Sequence, residues 1–325
     1  MALVSVVIAT YNRAAMVRQS IQAALAQTRP PDEIVVSDDA STDETPSVLR
    51  ALALDHPRVR VFRRETNSGG VGNWNDAVKH ARGDFIALCS DDDRFLPDHL
   101  EASLAYLERR LDTGLVHSGF VDVLETPGVL SIEPRRLRSK DPLIIRRADL
   151  VRYMTRYYDW AVHPSTIVMR RGVWSSAGQF NPVYQLTDTD WFVRVVERFP
   201  VTLLARHGVY NRRHAGNWSN RLGSARMQKE IFEIVDAAIE RLYAQHPVRR
   251  ALGRATWRAN VRMRLALTLG RRLRSGHADA ACALWRGLLR DTGRQAPVWL
   301  ERQGERIIRR WCGTCPDARP SVIPL

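Results

Sequence analysis

The chain has 325 residues, 45% of them apolar and 26% charged, and a formal net charge of +14. That length accommodates one large domain or two smaller ones, and the composition is that of an ordinary soluble globular protein. No apolar run approaches the ~20 residues of a membrane span, and four cysteines in such a chain do not make a disulfide framework.

The opening MALVSVVIATYNR carries neither a basic leader nor a small-residue cleavage site. Its apolar run therefore reads as a first strand, VSVVIAT (4–10), and a cytoplasmic protein is the expectation. Val17, Ile21, Ala24 and Leu25 fall on one face of a helix over 14–27. EIVVS (33–37) reads as a second strand. The STDET that follows resembles a helix start, with Ser41 or Thr42 as cap and acids in the first turn. RVRVF (58–62) is a third strand, residues 71–81 a helix and FIALC (85–89) a fourth strand. Pro97 opens a helix through about Arg110, and GLVHSGFVDVL (114–124) is a further strand.

This alternation predicts a mostly parallel sheet with helices on both faces, in which ligands bind at the carboxyl ends of the strands. Asp39 stands just beyond the second strand and Asp91–Asp93 just beyond the fourth, so two acidic clusters share one edge. Adjacent carboxylates repel, and each is costly near low dielectric unless something cationic satisfies it.

Residues 125–150 are Pro/Arg-rich and read as a loop; HPSTIVMR (163–170) reads as a strand and DTDWFVRVVERF (188–199) as an amphipathic helix. From about Leu222 to Trp311 the pattern is helical, with breaks at Pro247, Ser275-Gly276 and Pro297. Residues 221–325 hold 21 Lys/Arg against 9 Asp/Glu, so the tail carries nearly all of the net charge. Such a tail predicts a phosphate-bearing partner: nucleic acid, an anionic membrane or a phosphorylated substrate. Within it, WRANVRMRLALTLGRRLR (257–274) interleaves arginines with apolar residues, a pattern that either lies along an anionic bilayer or packs with a solvated basic face. Cys312 and Cys315 are half a zinc site at best.

Taken in order, VSVVIATYNR (4–13), EIVVSDDASTDET (33–45), NSGGVGNWNDAVKHARGDFIALCSDDDRFLPDHL (67–100), HPSTIVMRR (163–171), GQFN (178–181), TDTDWFVR (187–194) and YNRRHAGNWS (210–219) resemble the family 2 glycosyltransferases. The resemblance covers about residues 3–219 and implies an α/β GT-A fold over 1–220, with a basic helical extension over 221–325. It implies an inverting transferase that takes a sugar from a nucleotide-diphosphate donor to an acceptor hydroxyl, in bacterial surface polysaccharide or glycoconjugate synthesis. The partners implied are the nucleotide sugar and a saccharide or lipid-linked saccharide acceptor. An anionic membrane surface met through residues 221–311 would suit that acceptor. Nucleic acid is the weaker reading, since it explains the tail but not the acidic edge; a non-catalytic nucleotide-binding scaffold is the other alternative.

The resemblance places Ala9, Thr10, Tyr11 and Arg13 beside the nucleotide, where Tyr11 either stacks on the base or is a half-buried loop aromatic. It gives Asp39 the imide N–H of uracil or thymine, although guanine also offers N–H donors; Asp38 reads equally as a helix cap. Asn67 to Asn75, with Gly70, form a Gly-rich turn suited to a diphosphate, and Asn73 and Asn75 either donate to ribose or phosphate or cap the helix. Asp92 aligns as the direct ligand of a divalent cation, Mg²⁺ or Mn²⁺, with Asp91 facing the ribose and Asp93 either supporting that site or orienting the sugar. Asp188 aligns with the catalytic base, or else caps its helix. His214 would complete the metal site or touch the diphosphate, which Arg212 and Arg213 would pair, and His163 lies on the acceptor side. Ser90 and Thr187 stand where many relatives carry acidic residues.

Overall fold

The structure is a computed structural model that describes residues 2–126, 129–156, 162–214, 216–217, 224–259, 282 and 305–309. The chain divides into two compact units, Met1–Leu150 with Asp159–His214, and Val151–Tyr158 with Ala215–Leu325. Their strands are β1 (Val4–Thr10), β2 (Glu33–Asp38), β3 (Val59–Arg63), β4 (Phe85–Ser90), β5 (Arg94–Phe95), β6 (Leu115–Thr126), β7 (Val129–Pro134), β8 (Leu143–Ile145), β9 (Ile167–Arg170) and β10 (Val201–Arg213). Their helices are α1 (Ala14–Leu25), α2 (Thr45–Asp55), α3 (Gly69–Lys79), α4 (His99–Arg109), α5 (Leu150–Arg156), α6 (Arg171–Ala177), α7 (Thr187–Val196) and α8 (Ser224–Leu242).

One mixed sheet runs β3-β2-β1-β4-β9-β6-β10-β5, with β7 on β6 and β8 on β10. The first four strands pair in parallel, and β9 is antiparallel to both its neighbours. Every residue of β1 and β2 is buried. Val4, Val6 and Ile8 of β1 meet Val17 and Ile21 of α1, Leu49 of α2 and Leu100 and Leu104 of α4 in the core, while α3 packs on β1 and β2. Val7 and Val35, of the opposite parity, are buried as well. Cover on both faces explains why these strands read as continuous apolar runs rather than as alternation. Each Val or Ile so buried contributes about 1.5–3 kcal/mol.

Three expectations need correction. The stretch read as a loop over 125–150 contains β7 and β8, because β6 and β10 are long enough to carry short edge partners. Residues 164–166 form a 3-10 turn with Pro164 in its first turn, and the strand begins only at Ile167. The second helix starts at Thr45 rather than at Ser41 or Thr42. Those two residues stitch loops instead: Asn12 N donates to Ser41 Oγ (2.9 Å), and Thr42 N donates to Asn12 Oδ1 (2.8 Å). In the second unit, α8 is followed by a turn and a further helix over 247–259, so the break expected at Pro247 is a helix start. The basic segment 257–274 and the Cys312/Cys315 pair lie almost wholly outside the described residues. Among the described residues, no helix is long and apolar enough to cross a membrane.

Glu33 ties four stretches of the parallel half together. Its Oε1 accepts from Ser5 Oγ (2.6 Å) and Arg82 N (2.6 Å), and its Oε2 pairs with Arg60. Burial opposes ionisation, but these donors outweigh it and hold the carboxyl below the usual glutamate range. A depressed folded value gives stability that is full above the unfolded value and is lost as pH falls through the folded one. Glu33→Gln is expected to cost about 1–2 kcal/mol at neutral pH. The gap to wild type should close as pH drops below the ordinary glutamate range, which urea denaturation across pH would measure.

Candidate active site

The carboxyl ends of β1, β2 and β4 lie side by side, since Ala9 pairs with both Ser37 and Ser90. The turn after β4 brings out Asp91, Asp92 and Asp93, and Ser20 Oγ lies 2.9 Å from Asp91 O and 2.6 Å from Asp93 O. All three side chains are buried. Their repulsion is relieved by different partners. Asp91 Oδ2 accepts from Thr10 Oγ1 (2.8 Å). One nitrogen, Arg13 Nη1, donates to both Asp91 Oδ1 (2.7 Å) and Asp92 Oδ2 (2.7 Å). His214 Nε2 lies 3.1 Å from the same Asp92 oxygen.

Asp93 turns the other way. Its Oδ2 accepts from Ser165 Oγ, its Oδ1 accepts from Arg212 N (3.1 Å), and His163 Nδ1 is 3.8 Å from its Oδ2. Burial, and then the charge of Asp92, push the Asp93 carboxyl well above the usual range. Burial also pushes Asp91 up to about 6, against the pull of Arg13. Asp92 ends below the usual range: burial opposes its ionisation, but the His214 hydrogen bond and the charge of Arg13 outweigh burial. Asp92 is thus the carboxylate held most firmly ionised, the state a cation ligand needs.

Asp38 ends β2 and Asp39 follows it. Asp38 Oδ1 accepts from Ser41 N (3.1 Å), a loop contact. Asp39 Oδ1 accepts from Ser68 N (2.9 Å) and Ser68 Oγ (3.1 Å) and faces Arg64 Nε at 3.2 Å. All three of those contacts fall on one oxygen. Tyr11, by contrast, is 44% exposed. It sits beside Asn12, whose φ of 52° is left-handed. That conformation is one asparagine tolerates better than most residues.

Two amides predicted to face a ligand are engaged by the chain itself. Asn73 Nδ2 donates to Thr10 O and Ser37 O (3.1 Å each), bridging the ends of β1 and β2. Asn75 donates through Nδ2 to Phe180 O and accepts through Oδ1 from Phe180 N, each at 2.9 Å. Thr10 O accepts in addition from Asp39 N (3.0 Å). Asn67 Oδ1 accepts from Gly69 N (2.9 Å) where the chain enters α3, and Gly69 has a left-handed φ of 77°. A Cβ at Gly70 would meet nothing within 4 Å, so this turn presents bare backbone.

Asp188 lies in the first turn of α7, where its Oδ1 accepts from Thr189 N (2.7 Å). A helix N-terminus favours an ionised acid, yet burial dominates and raises the Asp188 carboxyl above the usual range. Asp190 is held instead by Arg194 one turn on (2.9 Å). Among the described residues, Thr187 Oγ1 is buried without a hydrogen-bond partner, and so is His163 Nδ1. Burial lowers the His163 imidazole, against the opposing charges of Asp188, Asp92 and Asp122, and the charge of Arg213 adds to the lowering.

The donor set around Asp92 suits a hard divalent cation in part. Among the described residues, no three His, Cys, Asp or Glu side chains are arranged to hold a metal ion by themselves. Mg²⁺ and Mn²⁺ commonly take one or two carboxylates and draw their remaining ligands from substrate phosphates and water. Asp92 with His214 offers that fraction. Sequence reasoning missed Ser165 and Ser20, which shape the acidic turn, although Ser165 stands inside the HPSTIVMR run.

Residues 5–153 match the family described as glycosyl transferase family 2. The chain is 32% identical over 232 residues to the uncharacterized glycosyltransferase YwdF of Bacillus subtilis, covering 69% of this chain and 80% of that one. It is 32% identical over 130 residues to the GalNAc(5)-diNAcBac-PP-undecaprenol beta-1,3-glucosyltransferase of Campylobacter jejuni, covering 40% and 41%. The match spans about a third of the length (32%) of the uncharacterized mycobacterial proteins that it also resembles. In fold it is similar to TarS 1–349 of S. aureus, with a TM-score of 0.60 at 16% identity over 94% of this chain and 88% of that one. TarS 1–349 has also been solved in complex with UDP and with UDP-GlcNAc.

Proposed function

The chain belongs to the family 2 glycosyltransferases and has their GT-A fold; from that premise we propose that it moves a sugar, with inversion, from a UDP- or dTDP-sugar to the hydroxyl of a saccharide acceptor. The observation that carries this reading is the buried acidic turn Asp91–Asp93 at the carboxyl ends of β1, β2 and β4, where one oxygen of Asp92 faces both Arg13 Nη1 (2.7 Å) and His214 Nε2 (3.1 Å). In this reading Asp92 serves as cation ligand and Asp188 as proton acceptor, the pairing a single displacement needs. UDP binding by the TarS neighbour supports the donor class. The name of the Campylobacter relative supports a lipid-linked acceptor and a role in surface polysaccharide or glycoconjugate synthesis. The excess charge of residues 221–325 suits an anionic membrane surface on which such an acceptor would be presented.

In this reading Tyr11 stacks on the base, and the second oxygen of Asp39 accepts its imide N–H. Arg212 and Arg213 pair with the diphosphate. Asp92 and His214 would hold Mg²⁺ or Mn²⁺, and Asp91 would face the ribose. When bound, that cation neutralises charge developing on the departing diphosphate. Asp188 takes the proton of the acceptor hydroxyl as it attacks the anomeric carbon from the face opposite the diphosphate. His163 Nδ1 and Thr187 Oγ1, neither of which has a hydrogen-bond partner among the described residues, would hydrogen-bond the acceptor.

Calorimetric titration with UDP, dTDP and GDP, each in Mn²⁺ and in EDTA, tests the donor side. Binding of UDP or dTDP that requires Mn²⁺ is expected. If no nucleotide binds with Mn²⁺ present, the acidic edge is not a donor site and the scaffold reading takes its place.

A further inference from the structure

Arg13 sits where the cation would go. A single guanidinium nitrogen lies 2.7 Å from an oxygen of Asp91 and 2.7 Å from an oxygen of Asp92, so one positive centre bridges both carboxylates. The Asp92 oxygen it touches is the one His214 approaches. Guanidinium does not deprotonate in proteins, so this contact is a permanent positive charge. A divalent ion ligated through that Asp92 oxygen would therefore meet a permanent positive charge within hydrogen-bond distance of its own ligand, and the two would repel.

The main chain of Arg13 is anchored independently of this contact. Arg13 N donates to Thr45 Oγ1 (3.0 Å), and Arg13 O accepts from Val17 N (2.9 Å) at the start of α1. The side chain is 25% exposed, so one flank opens to solvent. These backbone contacts do not depend on where the guanidinium lies. A nucleotide diphosphate is the natural second partner for a guanidinium leaving carboxylates, because its oxygens match the same fork.

We infer that Arg13 is a resident counter-ion, which the divalent cation displaces as the side chain passes from the carboxylates to the diphosphate. This rests on the metal-dependent donor reading above and deepens it. Arg13 keeps the acidic turn neutralised before substrate arrives, keeps metal affinity low in the nucleotide-free protein, and makes metal and nucleotide bind as a pair.

The test measures Mn²⁺ affinity of the full chain by paramagnetic resonance of free Mn²⁺, with and without UDP, in wild type, Arg13→Gln and Arg13→Lys. Without UDP, Arg13→Gln is expected to bind Mn²⁺ at least about tenfold more tightly than wild type, and Arg13→Lys, which keeps the charge, to stay near wild type. UDP should then tighten Mn²⁺ binding more in wild type than in Arg13→Gln. Should Arg13→Gln fail to fold, Arg13→Met keeps the volume of the stem and carries the same comparison. The inference is overturned alone if the uncharged variants bind Mn²⁺ no more tightly than wild type while wild type still takes up Mn²⁺ with UDP; Arg13 then only braces the turn. If no form takes up Mn²⁺ even with UDP, the inference and the metal-dependent reading fall together.

Discussion

Replacing Asp188 by asparagine is expected to lower sugar transfer by about 10³-fold while leaving nucleotide affinity within about twofold. Asparagine has the same shape and keeps the contact that orients the side chain, since its Oδ1 can still accept from Thr189 N. What it loses is the ability to take a proton. The environment prepares Asp188 for that role, because burial raises its carboxyl above the usual aspartate range and so makes it the stronger base once ionised. The Thr189 N hydrogen bond and His163 pull the other way, and burial outweighs both. The sign follows directly. Asp188 is inert when protonated, so turnover should fall on the acid side, and the fall should begin at a higher pH than for an ordinary aspartate. A steady-state pH profile of wild type beside calorimetry of the variant with UDP reads both effects. Joint loss of transfer and nucleotide binding would make Asp188 a structural cap of α7; transfer retained within about tenfold would put the base elsewhere.

Much of this arrangement was legible in the sequence, for a physical reason. Strands β1, β2 and β4 are covered on both faces, so their apolar runs are unbroken, and the acids that follow them mark the sheet edge where ligands bind. The short strands were not legible. Two-residue β5 exists only because Val209 and Tyr210 of β10 pair with it, and β8 likewise borrows Val201 to Leu203. No local preference of the chain announces such an element. The hairpin of β6 and β7 did leave a signal, the Pro127-Gly128 dipeptide between two β-rich runs, which the Pro/Arg-rich composition obscured.

Within the site, residue types were legible and pairings were not. The sequence shows three adjacent carboxylates and poses the question of what satisfies them. The answer lies in partners 72 to 122 residues away in the chain, or 78 and 79 for Arg13. Asp93 looked equivalent to its neighbours, yet Ser165 and Arg212 N turn it into the protein. Asn73 and Asn75 looked like ligand donors, yet they bridge backbone, because strand ends that open onto a ligand must themselves be held together.

Asp92→Asn is expected to abolish the difference between Mn²⁺ and EDTA in UDP binding, to weaken UDP in Mn²⁺ by about 100-fold, and to lower transfer by 10³-fold or more. The contrast with Asp188→Asn is diagnostic, because a base acts on turnover alone whereas a metal ligand acts on donor binding and turnover together. The fold should survive the change. Removing one partner of a buried ion pair costs about 3–5 kcal/mol when the other is stranded. Here Arg13 keeps Asp91, its side chain is partly exposed, and neutralising Asp92 relieves its repulsion with Asp91 and Asp93. Those offsets bring the expected net change in stability to within about 1 kcal/mol. A urea midpoint near wild type therefore ties the loss of Mn²⁺ response to the missing carboxylate. If UDP binding by Asp92→Asn still requires Mn²⁺, the cation is held through Asp91, and it then displaces Arg13 from that oxygen instead.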